Sequence, residues 1–197
     1  MEKKHINGIY WYIKRIFDFL FSLILLIITF PLLLIVAISL FINLGRPICN
    51  QRRYREGLNK KKFLMYKLRT KKLDSDNIPR KKRYTKFSNF IDKTHLNELP
   101  QLINILKGDM SFIGPRPFIP GEELPECNIS EKRYLVRPGL TGLAYVNGGK
   151  FLSHKKKLSY DEKYYDNFGF IQDFIILIKT PIAIIKQSKD TNKKRYK

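Results

Sequence analysis

From Ile16 to Leu44 the chain reads IFDFLFSLILLIITFPLLLIVAISLFINL, a run without Lys or Arg and with a single acid, Asp18. Such a stretch is unstable in water, and about 20 apolar residues at about 1.5 Å of rise each suffice to cross a bilayer. A secretory signal peptide has a shorter apolar core and ends on small residues at a cleavage site, a pattern missing here. Pro31 stands inside the run. It removes one helical hydrogen bond and crowds the preceding turn, so a bend is expected there. Each half, Ile16–Phe30 and Leu32–Leu44, then reaches only roughly 20 Å as helix, short of a hydrocarbon core of about 30 Å. Lys3, Lys4, Lys14 and Arg15 precede the run, and Arg46, Arg52, Arg53 and Arg55 follow it. Positive flanks stay cytoplasmic. A re-entrant hairpin satisfies both flanks; a single Pro-kinked span with one end outside is the alternative.

At 197 residues the chain holds one domain with a core beside this membrane element, so one site is sought. The formal charge of +21 calls for an anionic partner: phospholipid headgroups, a phosphorylated substrate or nucleic acid. Cys49, Cys127 and three His residues form neither a disulfide framework nor a zinc pattern, which fits a reduced cytoplasmic setting. Basic residues gather between Gly45 and Thr94 in QRRYR (51–55), KKK (60–62) and RKKR (80–83). They read as a surface facing anionic headgroups, at about 1 kcal/mol per residue close to a membrane, or as an ordinary solvated face.

Phe63, Met65 and Leu68 fit a short strand or helix equally well. Asn97–Lys107 patterns as a helix with Leu99, Leu102, Ile103 and Leu106 on one face, Pro100 in its first turn and Gly108 as its stop. Pro115–Pro125 is an extended stretch, and RPGLTGL (137–143) a turn-rich loop. Phe168–Ile185, interrupted by Pro181, fits a pair of short interfacial helices or a plain core helix. The closing SKDTNKKRYK reads as a disordered polar tail. The expected class is mainly α with minor β (α+β), with a basic segment over 1–15, a membrane helix over 16–44, a small domain over 45–186 and a tail over 187–197.

Several residues stand out chemically. Arg116, held between Pro115 and Pro117, is pre-oriented for bidentate recognition of phosphate oxygens; GPRP is otherwise simply a stiff turn. Lys67 and Arg69 in YKLRT, and Arg83, are further phosphate-binding candidates. Glu98 sits where exposed helix amides favour a negative charge. Asp161, with Glu162 and Asp166, forms an acidic island that can hold a divalent cation, since Mg²⁺ takes one or two carboxylates plus substrate phosphates, or is a solvated loop.

The motifs KRIFDFLFSLILLIITFP (14–31), YKLRT (66–70), LNELPQLINILKGDMSFIGPRP (96–117), VRPGLTGL (136–143) and DEKYYDN (161–167) occur in an order that resembles the bacterial sugar transferases, the monotopic polyprenol-phosphate phosphoglycosyl transferases. The likeness runs from about Lys14 to Lys186. It implies a re-entrant membrane helix bent at a Ser and Pro pair, here Ser22 and Pro31, with a cytoplasmic catalytic domain and interfacial amphipathic helices on the inner-membrane phospholipid. It implies transfer of a sugar phosphate from a UDP-sugar to undecaprenyl phosphate with Mg²⁺, releasing UMP. That is the first membrane step in making capsule, exopolysaccharide or glycoprotein glycans, whose later steps belong to downstream glycosyltransferases. In the family the carboxylate of an Asp-Glu pair attacks the diphosphate and forms a covalent phosphosugar intermediate. That is nucleophilic catalysis, with cations offsetting charge on the phosphate oxygens.

At the point of attack the chain departs from the pattern: Asn97 precedes Glu98, and Asp92 stands where the family usually has Arg. The catalytic candidates are therefore Glu98 and Asn97, the phosphate ligands Lys67, Arg69, Arg83 and Arg116, and the metal ligands Glu98 and Asp161. Three readings follow: an active transferase whose carboxylate comes from Glu98 or Asp92; a silent relative that binds a UDP-sugar or polyprenol phosphate as an auxiliary; or a membrane-tethered protein for anionic lipid or nucleic acid. No nucleic-acid partner is expected, because aromatic residues do not interleave with the basic clusters in any recognisable module.

Overall fold

The computed structural model describes residues 8–49, 54–73, 79, 82–121 and 129–195, with side chains through 187. Lys3, Lys4, Arg52, Arg53, Arg80, Lys81 and Cys127, all part of the sequence reading, lie outside the described residues.

The long apolar run is helical. Helix α1 spans Ile9–Leu44, beginning ahead of Ile16 and staying helical through Pro31. In the turn before that proline, the Thr29 hydroxyl donates to the Leu25 carbonyl at 2.6 Å. Such hydroxyl-to-carbonyl bonds help an apolar helix accommodate a proline. By length and composition α1 can cross a membrane.

Strands β1 (Tyr54–Glu56) and β2 (Lys62–Leu64) pair antiparallel with Arg55 opposite Phe63, which resolves the ambiguous segment around Phe63 as strand. Helix α2 (Lys86–Lys93) starts at a reciprocal cap between Thr85 and Ser88. A 3₁₀ turn over Leu96–Glu98 leads to α3 (Gln101–Lys107). The helix expected from Asn97 thus starts later: Pro100 has no N–H to continue the α-helical ladder, so the turn before it closes by bonds such as Glu98 N–H to His95 O at 2.9 Å. Gly108 ends α3 at φ 90°, as expected.

Strands β3 (Ser111–Ile113) and β4 (Gly139–Thr141) are parallel, with Ser111 opposite Gly139. Their approach depends on glycine. A Cβ on Gly114 would lie 2.2 Å from the Arg137 carbonyl, and one on Gly142 would lie 2.1 Å from the Gly114 carbonyl. Helices α4 (Leu143–Val146), α5 (His154–Asp166) and α6 (Phe170–Arg195) complete the chain.

Two expectations need correction. The acidic island lies within α5, which the Ser153 hydroxyl caps by accepting from Lys156 N–H. Of the two forms open to Phe168–Ile185, a helix pair or one helix, the structure has one: α6 is continuous through Pro181 and runs on to Arg195, where a disordered tail was expected. Thr180 donates to the Ile176 carbonyl at 2.8 Å in the turn that Pro181 weakens. The architecture is otherwise as read: mostly helical, with two small sheets.

α1 lies along the rest of the protein by one stripe. Asp18, Ser22, Val36 and Leu40 are buried, with Leu25, Leu26, Leu33, Ala37 and Leu44 partly buried between and beyond them. Steps of three and four residues place these on one face. Val36 and Leu40 pack with Leu68 and Ile91, while Leu25 and Leu26 meet Phe63, Leu102, Ile105 and Met110. A third cluster joins Ile113, Val136, Tyr164 and Ile176. Facing away, Ile28, Ile35 and Ile42 of α1 and Ile171, Ile178 and Ile182 of α6 are more than half exposed. Apolar faces of this extent are unusual on a surface bathed in water.

Polar contacts secure both ends of α1. Near its start Tyr10 and Lys14 reach Asp173 of α6, each at 2.6 Å. Arg15 donates to the Ile105 and Leu106 carbonyls at the end of α3. Asp18 accepts from the Ser111 hydroxyl and the Phe112 N–H, both at 3.1 Å. At its end, Arg69 donates to the Leu44 and Gly45 carbonyls, both at 2.8 Å. The last carbonyls of a helix have no partner inside it, and a cation there also meets the negative end of the helix dipole.

Candidate active site

The site is built where the extended segment 66–70 runs alongside the 3₁₀ turn before α3. Leu68 N–H donates to the Asn97 carbonyl at 2.9 Å. Asn104 anchors the neighbouring stretch, accepting from Tyr66 N–H at 2.9 Å and donating to the Leu64 carbonyl at 2.8 Å. Two acid-centred contacts flank this seam.

At the first, Lys67 Nζ lies 2.7 Å from Glu98 Oε1, and His95 Nδ1 lies 3.5 Å from the same oxygen. His95 adopts φ 58°, a left-handed conformation uncommon for a side-chain-bearing residue, which turns the chain into the 3₁₀ turn. Burial works to raise the Glu98 carboxyl, but the hydrogen bonds and charges of His95 and Lys67 outweigh it and hold the group down to about 2. Glu98 is therefore ionised at neutral pH. Its Oε2 has no hydrogen-bond partner among the described residues.

At the second, Asp92 Oδ1 accepts from the Thr70 hydroxyl at 3.1 Å and from Asn97 Nδ2 at 3.4 Å. Asn97 is fully buried, and its Oδ1 has no partner among the described residues. A carboxylate accepts and cannot donate, so the amide must turn its NH₂ toward Asp92, and that choice orients the orphaned oxygen.

The other candidates are placed as follows. Arg116 is exposed on the loop after β3. Its backbone carbonyl accepts from Arg133 Nη2 at 2.5 Å. The half-buried Tyr145 on α4 links Arg116 to Glu98: burial pushes its phenol up, the Glu98 charge adds to this and the Arg116 charge opposes it. Arg83 is half-buried, with its backbone carbonyl accepting from Lys72 N–H at 2.9 Å.

Arg69 is used differently from the expectation of a phosphate ligand. It is 6% exposed. Besides the two carbonyls that end α1, it donates to Pro47 O at 2.7 Å and Lys71 O at 2.8 Å. Asp161 is buried and faces Arg133, with Nη2 to Oδ2 at 3.4 Å. Burial raises its carboxyl to about 6 although Arg133 opposes the shift. The Arg133 guanidinium carbon lies 3.3 Å from the centroid of the Phe118 ring. Among the described residues, no three His, Cys, Asp or Glu side chains gather as a metal site. Ser22 is fully buried and donates to the Phe19 carbonyl at 3.0 Å, and Pro31 is exposed.

Thr70, His95 and Arg133 were not singled out by sequence reasoning. Thr70 lay within a quoted motif; the other two carry no local signal, because the partner of Arg133 is remote in the chain and that of His95 depends on the left-handed turn. Chemically, the arrangement offers two carboxylates in different settings, Glu98 paired with Lys67 and Asp92 held by neutral donors. It suits an anionic substrate whose phosphates meet cations.

A family model described as bacterial sugar transferase matches residues 9–187. An uncharacterized sugar transferase, EpsL, of Bacillus subtilis is 37% identical over 173 residues, covering 85% of each chain. The undecaprenyl-phosphate galactose phosphotransferase of Salmonella typhimurium is 30% identical over 197 residues, 89% of this chain and 41% of that protein. The UDP-glucose:undecaprenyl-phosphate glucose-1-phosphate transferase of Xanthomonas campestris is 30% identical over 191 residues, 88% of this chain and 39% of that protein. The chain therefore spans most of the EpsL protein and about two fifths of the longer relatives. With the motifs, the apolar helix and the cation-lined acids in agreement with that match, the chain belongs to the bacterial sugar transferase family from Ile9 to Gln187.

Proposed function

We propose that this protein transfers a sugar phosphate from a UDP-sugar to undecaprenyl phosphate, releasing UMP, at the cytoplasmic face of the bacterial inner membrane. The product starts a capsule, exopolysaccharide or glycoprotein glycan, which downstream glycosyltransferases extend. The observation that carries this reading is the Lys67–Glu98 pair, 2.7 Å apart, in a body fastened along one stripe of an apolar helix. A phosphate-binding centre at the lipid surface is where a soluble donor and a polyprenol phosphate can meet. The names of the Salmonella and Xanthomonas relatives support the acceptor.

The monotopic placement rests on the fastening of α1. Asp173, the end of α3 and β3 hold its start, and Arg69 holds its end. A body on one side of the membrane that grips both ends keeps both on that side, which favours the re-entrant hairpin bent near Pro31 over a span. The positive flanks favour the cytoplasm for that side.

Lys67, Arg83 and Arg116 serve as the phosphate ligands, with Arg69 supporting them by ending α1 beside Lys67. Glu98 and Asn97 form the chemical centre. Mg²⁺ binds through one or two carboxylates plus phosphates; Glu98, which faces Lys67 and His95, and Asp161, which faces Arg133, are the carboxylates that would hold it once substrate phosphates draw those cations away. When bound, the ion supplies neutralising charge for the diphosphate.

The test is UMP release from a panel of UDP-sugars by the purified protein in nanodiscs containing undecaprenyl phosphate. Release from at least one donor is expected. A second reading, a silent auxiliary that binds the same ligands, is favoured by the buried amide of Asn97. It prevails if no donor releases UMP and Asn97→Asp restores release.

A further inference from the structure

We propose that Asp92, and not Glu98, supplies the carboxylate oxygen that attacks phosphorus, with Thr70 and Asn97 as its positioning residues. This rests on the transferase reading above and assigns its nucleophile.

The two acids differ in how they are held. Glu98 Oε1 is shared by two basic side chains, Lys67 at 2.7 Å and His95 at 3.5 Å. Ion pairing draws electron density from the carboxylate and fixes it, which opposes attack on phosphorus. Asp92 Oδ1 is held by two neutral donors, the Thr70 hydroxyl and the Asn97 amide. They orient the group without cancelling its charge, and Oδ2 has no partner among the described residues. The side chain is half-buried.

Asp92 is also poorly explained as a structural residue. It occupies the last turn of α2, where the helix dipole disfavours an anion. No ion pair reaches it among the described residues. Asn97 holds Asp92 at the expense of its own amide oxygen, buried without a donor, a defect that ordinarily destabilises a fold. An unfavourably placed carboxylate, held by an amide that is itself left unsatisfied, is the type of local cost that functional sites carry.

Asp92 Oδ2 forms a bond to the phosphorus that carries the sugar. The bond from that phosphorus to the bridging oxygen breaks, and the oxygen leaves with its electron pair as part of the nucleoside monophosphate. An oxygen of the polyprenol phosphate then attacks the same phosphorus, the bond to Asp92 breaks and the carboxylate is regenerated. No proton or redox partner is consumed.

The digest can separate the two acids. Trypsin cleavage after Lys86, Lys93 and Lys107 places Asp92 in Phe87–Lys93 and Glu98 in Thr94–Lys107. Full-length protein is mixed with a UDP-sugar without acceptor, and the acyl phosphate is trapped with hydroxylamine as a hydroxamate. After digestion the peptides are read by mass spectrometry. The hydroxamate is expected on Phe87–Lys93, and Asp92→Asn should lower UMP release about a thousandfold or more. Asn97→Ala should lower kcat with the donor KM unchanged, its hydroxamate still on Asp92. A hydroxamate on Thr94–Lys107, or UMP release by Asp92→Asn within threefold of wild type, overturns the assignment and leaves the transferase reading standing. Absence of UMP release by the wild type with every donor fails the transferase reading and this assignment with it. Asp92→Asn is nearly isosteric, and its elution as a monodisperse peak excludes misfolding as the cause of a loss.

Discussion

Removal of the Arg69 guanidinium is expected to loosen the end of α1 rather than weaken substrate binding. Arg69 makes four bonds of 2.7–2.8 Å to backbone carbonyls at residues 44, 45, 47 and 71. A hydrogen bond from a charged donor contributes about 1.5–3 kcal/mol. The four are not additive, because carbonyls near the surface regain water. Arg69→Ala should therefore cost about 3–5 kcal/mol in all, near the upper end for a single substitution. For a chain of this size that lowers Tm by about 6–20 °C. Arg69→Lys keeps the charge but replaces a planar five-donor fork with a three-donor point charge, and should lose about half as much. The assay is thermal unfolding of both variants in nanodiscs, alongside the donor KM from UMP release. A phosphate ligand would behave oppositely. A Tm within about 2 °C of wild type for Arg69→Ala, together with a raised donor KM, would refute the capping argument.

Glu98, ordinarily near 4.5 and held down to about 2, contributes up to about 3 kcal/mol. Because its pKa is depressed, the contribution is complete above 4.5 and lost as pH falls toward 2. Denaturant titrations should show Glu98→Gln weaker than wild type at pH 7, the gap closing in acid; a gap independent of pH would contradict this. Gly114→Ala should prevent β3 and β4 from pairing, since the new Cβ meets the Arg137 carbonyl at 2.2 Å and the neighbour is backbone; normal yield of a monodisperse, protease-resistant variant would show the approach to be looser than described. Asp173→Asn removes the charge that Lys14 pairs with and weakens the bonds from Tyr10 and Tyr164. It should make the start of α1 more accessible to hydrogen exchange while the protection of α2 is unchanged.

What the sequence revealed depended on whether the signal was local. The apolar run that became α1 is a matter of composition, and the stop of α3 at Gly108 needs only a glycine after a periodic segment. α5 was hidden because LSYDEKYYDN is polar enough to resemble a loop, and its helical state shows only through the Ser153 cap and the burial of Leu158, Asp161 and Tyr164. The continuity of α6 was obscured by Pro181, whose effect is offset by a hydroxyl one residue earlier. At the site, Lys67 and Glu98 were legible as individual chemical groups, but their pairing was not. Arg69 seemed an anion ligand because a guanidinium in a basic stretch invites that reading, whereas its partners are carbonyls, which no residue type advertises. Arg133 carries no motif of its own, and its partners Asp161 and the Phe118 ring lie far from it in the chain.

The fastening of α1 also constrains how the protein is made. α1 leaves the ribosome before the residues that complete it, since Tyr10 is 163 positions from Asp173 and Asp18 is 93 from Ser111. During synthesis the apolar helix carries Lys14, Arg15 and Asp18 without their final partners, and those charges hold its start near water. Firm seating comes only when α6 has been translated and Asp173 can reach back. α1 is therefore made before α6 and is among the last elements to be completed, so a chain cut short before α6 leaves its most apolar segment without part of its fastening.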